Sequence, residues 1–151
     1  MSSIDRFRIE ISKEVIDNIL DKVSRFPWHL MADDDGWNYG TNLHYMKELC
    51  EYWVKGFNWN IQEQRLNKFP HFKTYVDGIN VHFIREKGSG KHPTPLIISH
   101  GWPGSFVEFL NILEPLAHPE QFGGDVSDAF DVIAPSLPGF AFSSAPPRPY
   151  G

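Results

Sequence analysis

One cysteine in 151 residues leaves no partner for an internal disulfide, which excludes a disulfide-stapled scaffold and fits a reducing compartment. Runs of Lys or Arg are missing and the formal net charge is −5, so the electrostatic footprint of a protein for nucleic acid or anionic membrane is absent. The opening Met1-Ser2-Ser3-Ile4-Asp5-Arg6 lacks the apolar stretch of a secretory signal, and no segment approaches the ~18 consecutive apolar residues of a membrane span. The expectation is a soluble, cytoplasmic protein with neither nucleic acid nor membrane among its partners. Internal repeats are lacking too. The seven histidines show no paired ligand spacing for zinc, and no metal is expected. Gly88-Ser89-Gly90-Lys91 lacks the upstream Gly and following Ser/Thr of a phosphate-binding loop.

What is abundant is aromatic: 12 Phe, 5 Trp and 5 Tyr, enough for a core or an apolar pocket built from rings. Residues 12–25 place Ile16, Ile19, Leu20 and Val23 at the spacing of a one-faced helix, with Ser12 as cap and Phe26-Pro27 as its end. A second helix is predicted from about Thr41 to Lys55, with Met46, Leu49, Cys50 and Trp53 on one face. Cys50 reads there as a small hydrophobe, not a nucleophile. Asp33-Asp34-Asp35-Gly36 reads as a turn between them. A third, short helix runs from Phe57 through Asn67, and no sheet element is expected before residue 70.

The period then changes. Residues 72–76, the pair Asp77-Gly78 and residues 79–86 predict a hairpin, with Ile79, Val81 and Phe83 inward and His82 outward. Pro95-Leu96-Ile97-Ile98-Ser99 reads as a strand buried on both faces. Residues 105–116 predict a helix with Phe106, Phe109, Leu110, Leu113 and Leu116 inward, and residues 130–135 a second buried strand. Hairpin, strand, helix, strand is an α/β pattern whose last unit needs a parallel pair and a right-handed crossover.

The strongest chemical signal is Ser99-His100-Gly101-Trp102-Pro103-Gly104-Ser105, where a buried strand meets a helix. Gly101 permits a sharp turn, and Pro103 has no N–H, fixes its own φ and restricts the residue before it. The turn can therefore aim the Trp102 backbone N–H outward from the strand end, where ligands bind in open α/β sheets. Such a donor is half of an α/β-hydrolase oxyanion hole. The plain alternative is a tight turn and nothing more. Gly123-Gly124-Asp125 begins like a nucleophile elbow, but Pro119-Glu120-Gln121-Phe122 before it is no buried strand, so Asp125 reads as a solvated loop residue.

These residues resemble the epoxide hydrolase family, in the branch related to the microsomal and fungal enzymes. His100-Gly101-Trp102-Pro103 matches its H-G-x-P motif. Residues Ala134-Pro135-Ser136-Leu137-Pro138-Gly139-Phe140-Ala141-Phe142-Ser143 match the loop after its fourth strand. Phe26-Pro27-Trp28, Trp37-x-Tyr39-Gly40, Tyr52-Trp53 and Glu63-x-x-Leu66-Asn67-x-Phe69-Pro70 extend the match to essentially the whole chain. There are departures. Asn58 and Asn60 replace the Asp and Arg of F-D-W-R, His71 replaces the Gln of F-P-Q-F, and Ala141 stands where glycine is common.

The resemblance implies an N-terminal helical region over residues 1–70 and, over residues 71–151, a truncated α/β-hydrolase sheet holding the first four strands. It implies that the complete enzyme hydrolyses a small hydrophobic epoxide to a vicinal diol through an aspartyl ester, without metal or organic cofactor. Trp102 supplies the backbone oxyanion-hole N–H, His100, Gly101, Pro103 and Gly104 support that loop, and the Trp102-Pro103 peptide bond is cis. The Trp102 indole either lines the substrate pocket or packs. The nucleophile, the His–acid pair and the lid tyrosines are expected downstream of this chain, which by itself should be inactive. Without a fifth hydrolase strand, residues 96–99 present an apolar edge, so self-association, aggregation or partial melting is expected. Two rivals stay open: a dehalogenase or esterase sharing H-G-x-P, and a non-catalytic product that pairs with another chain.

Overall fold

The computed structural model describes residues 3–29 and 36–148. The chain divides into two compact units, Ile9–Gln64, and Met1–Arg8 together with Arg65–Gly151. The acidic turn at Asp33, Asp34 and Asp35 and the chain end at 149–151 lie outside the described residues.

In the first unit, α1 (Lys13–Ser24) begins where the Ser12 side chain accepts from the Val15 N–H at 3.3 Å. That bond satisfies one of the amides a helix start leaves without a partner. Helix α2 (Leu43–Lys55) starts two residues later than expected and is capped by Asn42, whose side chain accepts from the Tyr45 N–H at 3.0 Å. The two helices pack together, although none of their residues is fully buried. Cys50 is half-buried and unpaired, in keeping with its reading as a hydrophobe. Helix α3 (Trp59–Leu66) starts with the Asn58 side chain accepting from the Ile61 N–H at 3.3 Å, so the departure from aspartate keeps a cap. Glu63 accepts from the Trp59 indole at 3.0 Å and from the Ile11 N–H at 2.8 Å, which gives the Glu of the Glu63-x-x-Leu66 motif a structural task.

The second unit is built on a five-stranded sheet: β1 (Ile4–Phe7), β2 (His71–Val76), β3 (Ile79–Glu86), β4 (Thr94–Ile97) and β5 (Phe130–Pro135). Their order is β1-β2-β3-β5-β4, antiparallel except for the parallel β4–β5 pair. The β2–β3 hairpin closes as predicted. Asp77 and Gly78 both take positive φ, 46° and 86°, the pair of left-handed residues that a two-residue type I′ turn requires.

Four expectations are corrected. A strand does precede residue 70: Ile4 pairs with Thr74 and Phe7 with His71. Four residues with no alternation carry no periodic signal, and β1 is defined by the edge it finds on β2. The helix predicted over 105–116 is instead a 3₁₀ turn (Phe106–Phe109) followed by α4 (Leu113–Ala117). Pro115 lacks an N–H and its ring crowds the carbonyl four residues back, so the helix restarts with proline in its first turn. The strand at 95–99 is not buried on both faces: β4 is the sheet edge, and Ile97 is 68% exposed. Finally, His82 points inward and is completely buried.

The core lies against β3 and β5. Ile84, Val132 and Ala134 are sealed from solvent, as are Leu113 and Ala117 of α4, and Phe106 nearly so. Burying side chains of this size contributes roughly 1.5–3 kcal/mol each for the larger ones. This packing sets β4 and β5 side by side, so that their C-terminal ends deliver two loops to one place.

Candidate functional site

The first loop leaves β4 through Ile98, whose N–H continues the ladder to the Ile133 carbonyl at 3.0 Å. Residues Gly101-Trp102-Pro103-Gly104 then form a turn closed by the Gly104 N–H on the Gly101 carbonyl at 2.9 Å, and the Trp102-Pro103 peptide bond is cis as expected. Among the described residues no hydrogen bond takes the Trp102 N–H. Trp102 is 85% exposed, so among the described residues the indole packs against little. The turn feeds a capping box: the Ser105 side chain accepts from the Val107 N–H at 3.3 Å, and Glu108 accepts from the Ser105 N–H at 3.1 Å. The Glu108 carboxylate lies where a Cβ on Gly104 would stand, so a larger residue there would displace it from the capping box.

His100 is 4% exposed, and its roles follow from its neighbours. A backbone N–H can only donate, so the Leu137 N–H gives its proton to Nε2 at 3.1 Å. The ring proton therefore sits on Nδ1 and goes to the Gly101 carbonyl at 2.9 Å. The imidazole ties the first loop to the second, and Phe140 meets it edge-on at 5.3 Å.

The second loop leaves β5 at Ser136 and is fastened to β3. The Ser136 N–H donates to the His82 carbonyl at 2.8 Å and the Ser144 N–H to the Asn80 carbonyl at 2.9 Å. The Ser143 hydroxyl accepts from the His82 N–H at 2.9 Å and donates to the Ser136 carbonyl at 2.7 Å. Beneath it lie two imidazoles that sequence reasoning missed. His82 Nδ1 is 2.8 Å from the Ser136 hydroxyl, His82 Nε2 is 2.9 Å from His71 Nδ1, and His71 Nε2 is 2.9 Å from the Leu66 carbonyl. The rings of Phe7, Phe106 and Phe142 surround His82. Burial holds the His71 ring below its ordinary pKa. Burial first, then the charges of His71 and Lys73, push His82 down to about 3. A signal existed: the hairpin register pairs His71 with Ile84 and Lys73 with His82, which places both histidines on one face.

Asp125 lies in an exposed loop, where its side chain accepts from the Ser127 N–H at 2.8 Å. That bond lowers its pKa and is a turn cap, not an elbow. Ser89 is bound to the end of α4: its N–H reaches the Ala117 carbonyl at 2.8 Å, and its hydroxyl meets Glu120 and His118. Among the described residues no group of three or more His, Cys, Asp or Glu side chains could hold a metal, and no helix is long and apolar enough to cross a membrane.

Residues 4–109 match the family model described as the epoxide hydrolase N terminus. The chain belongs to that family. Residues 94–151 match the model of the α/β-hydrolase fold, so the sheet is the N-terminal part of that fold, with β1 added at its edge. Epoxide hydrolase 1 of Sus scrofa is 40% identical over 95% of this chain and 32% of its own length. Juvenile hormone epoxide hydrolase 2 of Ctenocephalides felis is 36% identical over 98% and 32%. The crystal structure of juvenile hormone epoxide hydrolase from Bombyx mori superposes with a TM-score of 0.86 at 32% identity, over 99% of this chain and 35% of that one. The Aspergillus niger epoxide hydrolase structure gives 0.83 at 32% identity, over 96% and 38%. The chain thus spans about a third of the length of these relatives.

Proposed function

We propose that these residues are the N-terminal third of an enzyme that hydrolyses small hydrophobic epoxides to vicinal diols, and that Trp102 gives its backbone N–H to the oxyanion formed as the aspartyl ester breaks down. In this reading residues 1–70 are the N-terminal helical region and residues 71–151 the first half of the hydrolase core. His100, Gly101, Pro103 and Gly104 support the donor. The nucleophilic carboxylate, the His–acid pair that activates water and the lid tyrosines that polarise the epoxide oxygen belong to parts of the complete enzyme outside these residues. No cofactor is required. The protein is cytoplasmic.

The observation that carries the reading is the Trp102 N–H, without a partner among the described residues, in a turn after the C-terminal end of β4 and braced by His100. One such donor is typically worth ~2.7–4 kcal/mol of transition-state stabilisation. The test uses a full-length protein carrying residues 1–151 and styrene oxide. Trp102→Pro deletes the N–H, and ester breakdown should slow by about 10²–10³ while ester formation persists, so the covalent intermediate accumulates. Trp102→Phe keeps the amide and should keep breakdown. Equal loss in both variants, or loss of ester formation alone, would sink the assignment. Residues 1–151 alone should give no diol, and activity abolished by Asp125→Asn would make Asp125 a nucleophile instead.

A further inference from the structure

We infer that His71 and His82 are positioning residues for the Trp102 turn, because a one-way hydrogen-bond chain runs from the core through both imidazoles to Ser136, whose neighbour Leu137 holds His100. The direction follows from donor and acceptor capacity. The Leu66 carbonyl can only accept, so His71 donates from Nε2 at 2.9 Å. A neutral His71 then offers the lone pair of Nδ1, and His82 donates to it from Nε2 at 2.9 Å. His82 in turn presents a bare Nδ1, which the Ser136 hydroxyl fills at 2.8 Å. Every contact is satisfied with both rings neutral, and with one arrangement of protons.

An extra proton on His71 puts two N–H groups nose to nose between the rings, and one on His82 Nδ1 turns the Ser136 hydroxyl from donor to acceptor and reverses that link. Nothing nearby compensates. Phe7 of β1, Phe106 of the 3₁₀ turn and Phe142 of the second loop face His82. Among the described residues the cation acting on it is Lys73 of β2, and no carboxylate acts on either ring. The burial that disfavours charge on both rings agrees with the neutral chain. Loop 136–144 is therefore held by side chains as well as by its backbone bonds to β3. Its Leu137 amide is the anchor of His100, and so of the Gly101 carbonyl that closes the Trp102 turn.

The catalytic meaning of this chain rests on the proposed role of Trp102, but its existence does not. It is read directly from nitrogen-15 resonance of labelled histidines in the 151-residue protein, in solution or sedimented. His71 and His82 should both carry the proton on Nε2, and His100 on Nδ1. Amide exchange reads the loop. His71→Gln keeps one donor and one acceptor in line, and exchange at Leu137 should stay within ~2-fold of the parent. His71→Leu offers no acceptor to His82, and Leu137 and Ser144 should exchange at least ~10-fold faster while Val132 changes little. Ser136→Ala cuts the chain at its loop end and should release Leu137 alone. An Nδ1–H proton on His82, a Gln variant as damaging as the Leu variant, or Leu137 unmoved by His71→Leu would each overturn the inference. Uniform loss of protection in both His71→Leu and Ser136→Ala would make the pair ordinary core packing and overturn it too. If the chain is confirmed and Trp102→Pro is silent in the full-length enzyme, the proposed oxyanion role fails and the positioning of the loop stands.

Discussion

The backbone N–H of Leu137 donates to Nε2 of His100 at 3.1 Å, so that the loop after β5 holds the loop after β4 through a single imidazole. Replacing His100 by Ala leaves the half-buried Leu137 amide without its acceptor and the Gly101 carbonyl with the Gly104 N–H alone. Leaving a buried donor unpaired costs about 1–3 kcal/mol. Urea unfolding of His100→Ala should show a loss of that size, and the signal assigned to Trp102, by difference from Trp102→Phe, should change under quencher. An unchanged urea midpoint would mean that the brace is idle.

Acid should weaken the protein through its buried imidazoles. Both His71 and His82 have folded pKa values below that of an unfolded histidine, His82 at about 3. The unfolded chain then binds protons that the folded chain refuses. Their stabilisation is fully present above about pH 6.5 and is lost as pH falls from there towards the folded values. His71→Gln removes one of the two sites. Its stability, from urea melts at a series of pH values, should fall less steeply below about pH 6.5, by up to about 1.4 kcal/mol per pH unit. Parallel slopes would place the acid sensitivity elsewhere.

Ala141 sits at φ 45°, in the left-handed region, where the family more often has glycine. That region costs an L-residue roughly 1–2 kcal/mol, and glycine returns part of the gain through the entropy of the unfolded chain. Ala141 is exposed, so no packing is lost. Ala141→Gly should raise stability by about 0.5–1 kcal/mol in a thermal or urea melt. A loss would mean that the methyl group matters.

We propose that the chain associates with itself through β4. Among the described residues β4 pairs with β5 alone, which leaves its other side an unpaired edge carrying the exposed Ile97. Exposed apolar edges recruit further strands, and an inserted lysine is a common deterrent. Light scattering of residues 1–151 should show mass rising with concentration, and Ile97→Lys should shift it towards monomer. A parent protein that stays monomeric, with a sharp cooperative melt, would end this reading.

What was legible in the sequence was whatever had a short-range cause. Asp77-Gly78 announced its hairpin because few other pairs adopt two positive φ values, and Ser12 announced a helix start because its hydroxyl reaches back to an amide three residues on. The Trp102 turn was legible as a glycine–proline framework and, through the family resemblance, as a cis bond. Long-range causes were not. β1 exists because β2 offers an edge, His82 is buried because rings from three other segments close over it, and β4 is exposed because of what lies beside it. Pro115 was in plain view but outweighed by the apolar spacing of 105–116, and the structure gives the proline the deciding vote.

The pairing of Phe7 with His71 sets an order on synthesis. A ribosome releases β1 before β2, and the partner strand emerges roughly sixty residues later, so the nascent chain carries an orphan strand while the helices are being made. Closing so long a loop adds only a fraction of a kcal/mol for each doubling of its length, so the delay costs time more than stability. Docking of β1 is therefore expected to be a late event on the ribosome, and Ile4 and Phe7 wait for their partners on β2.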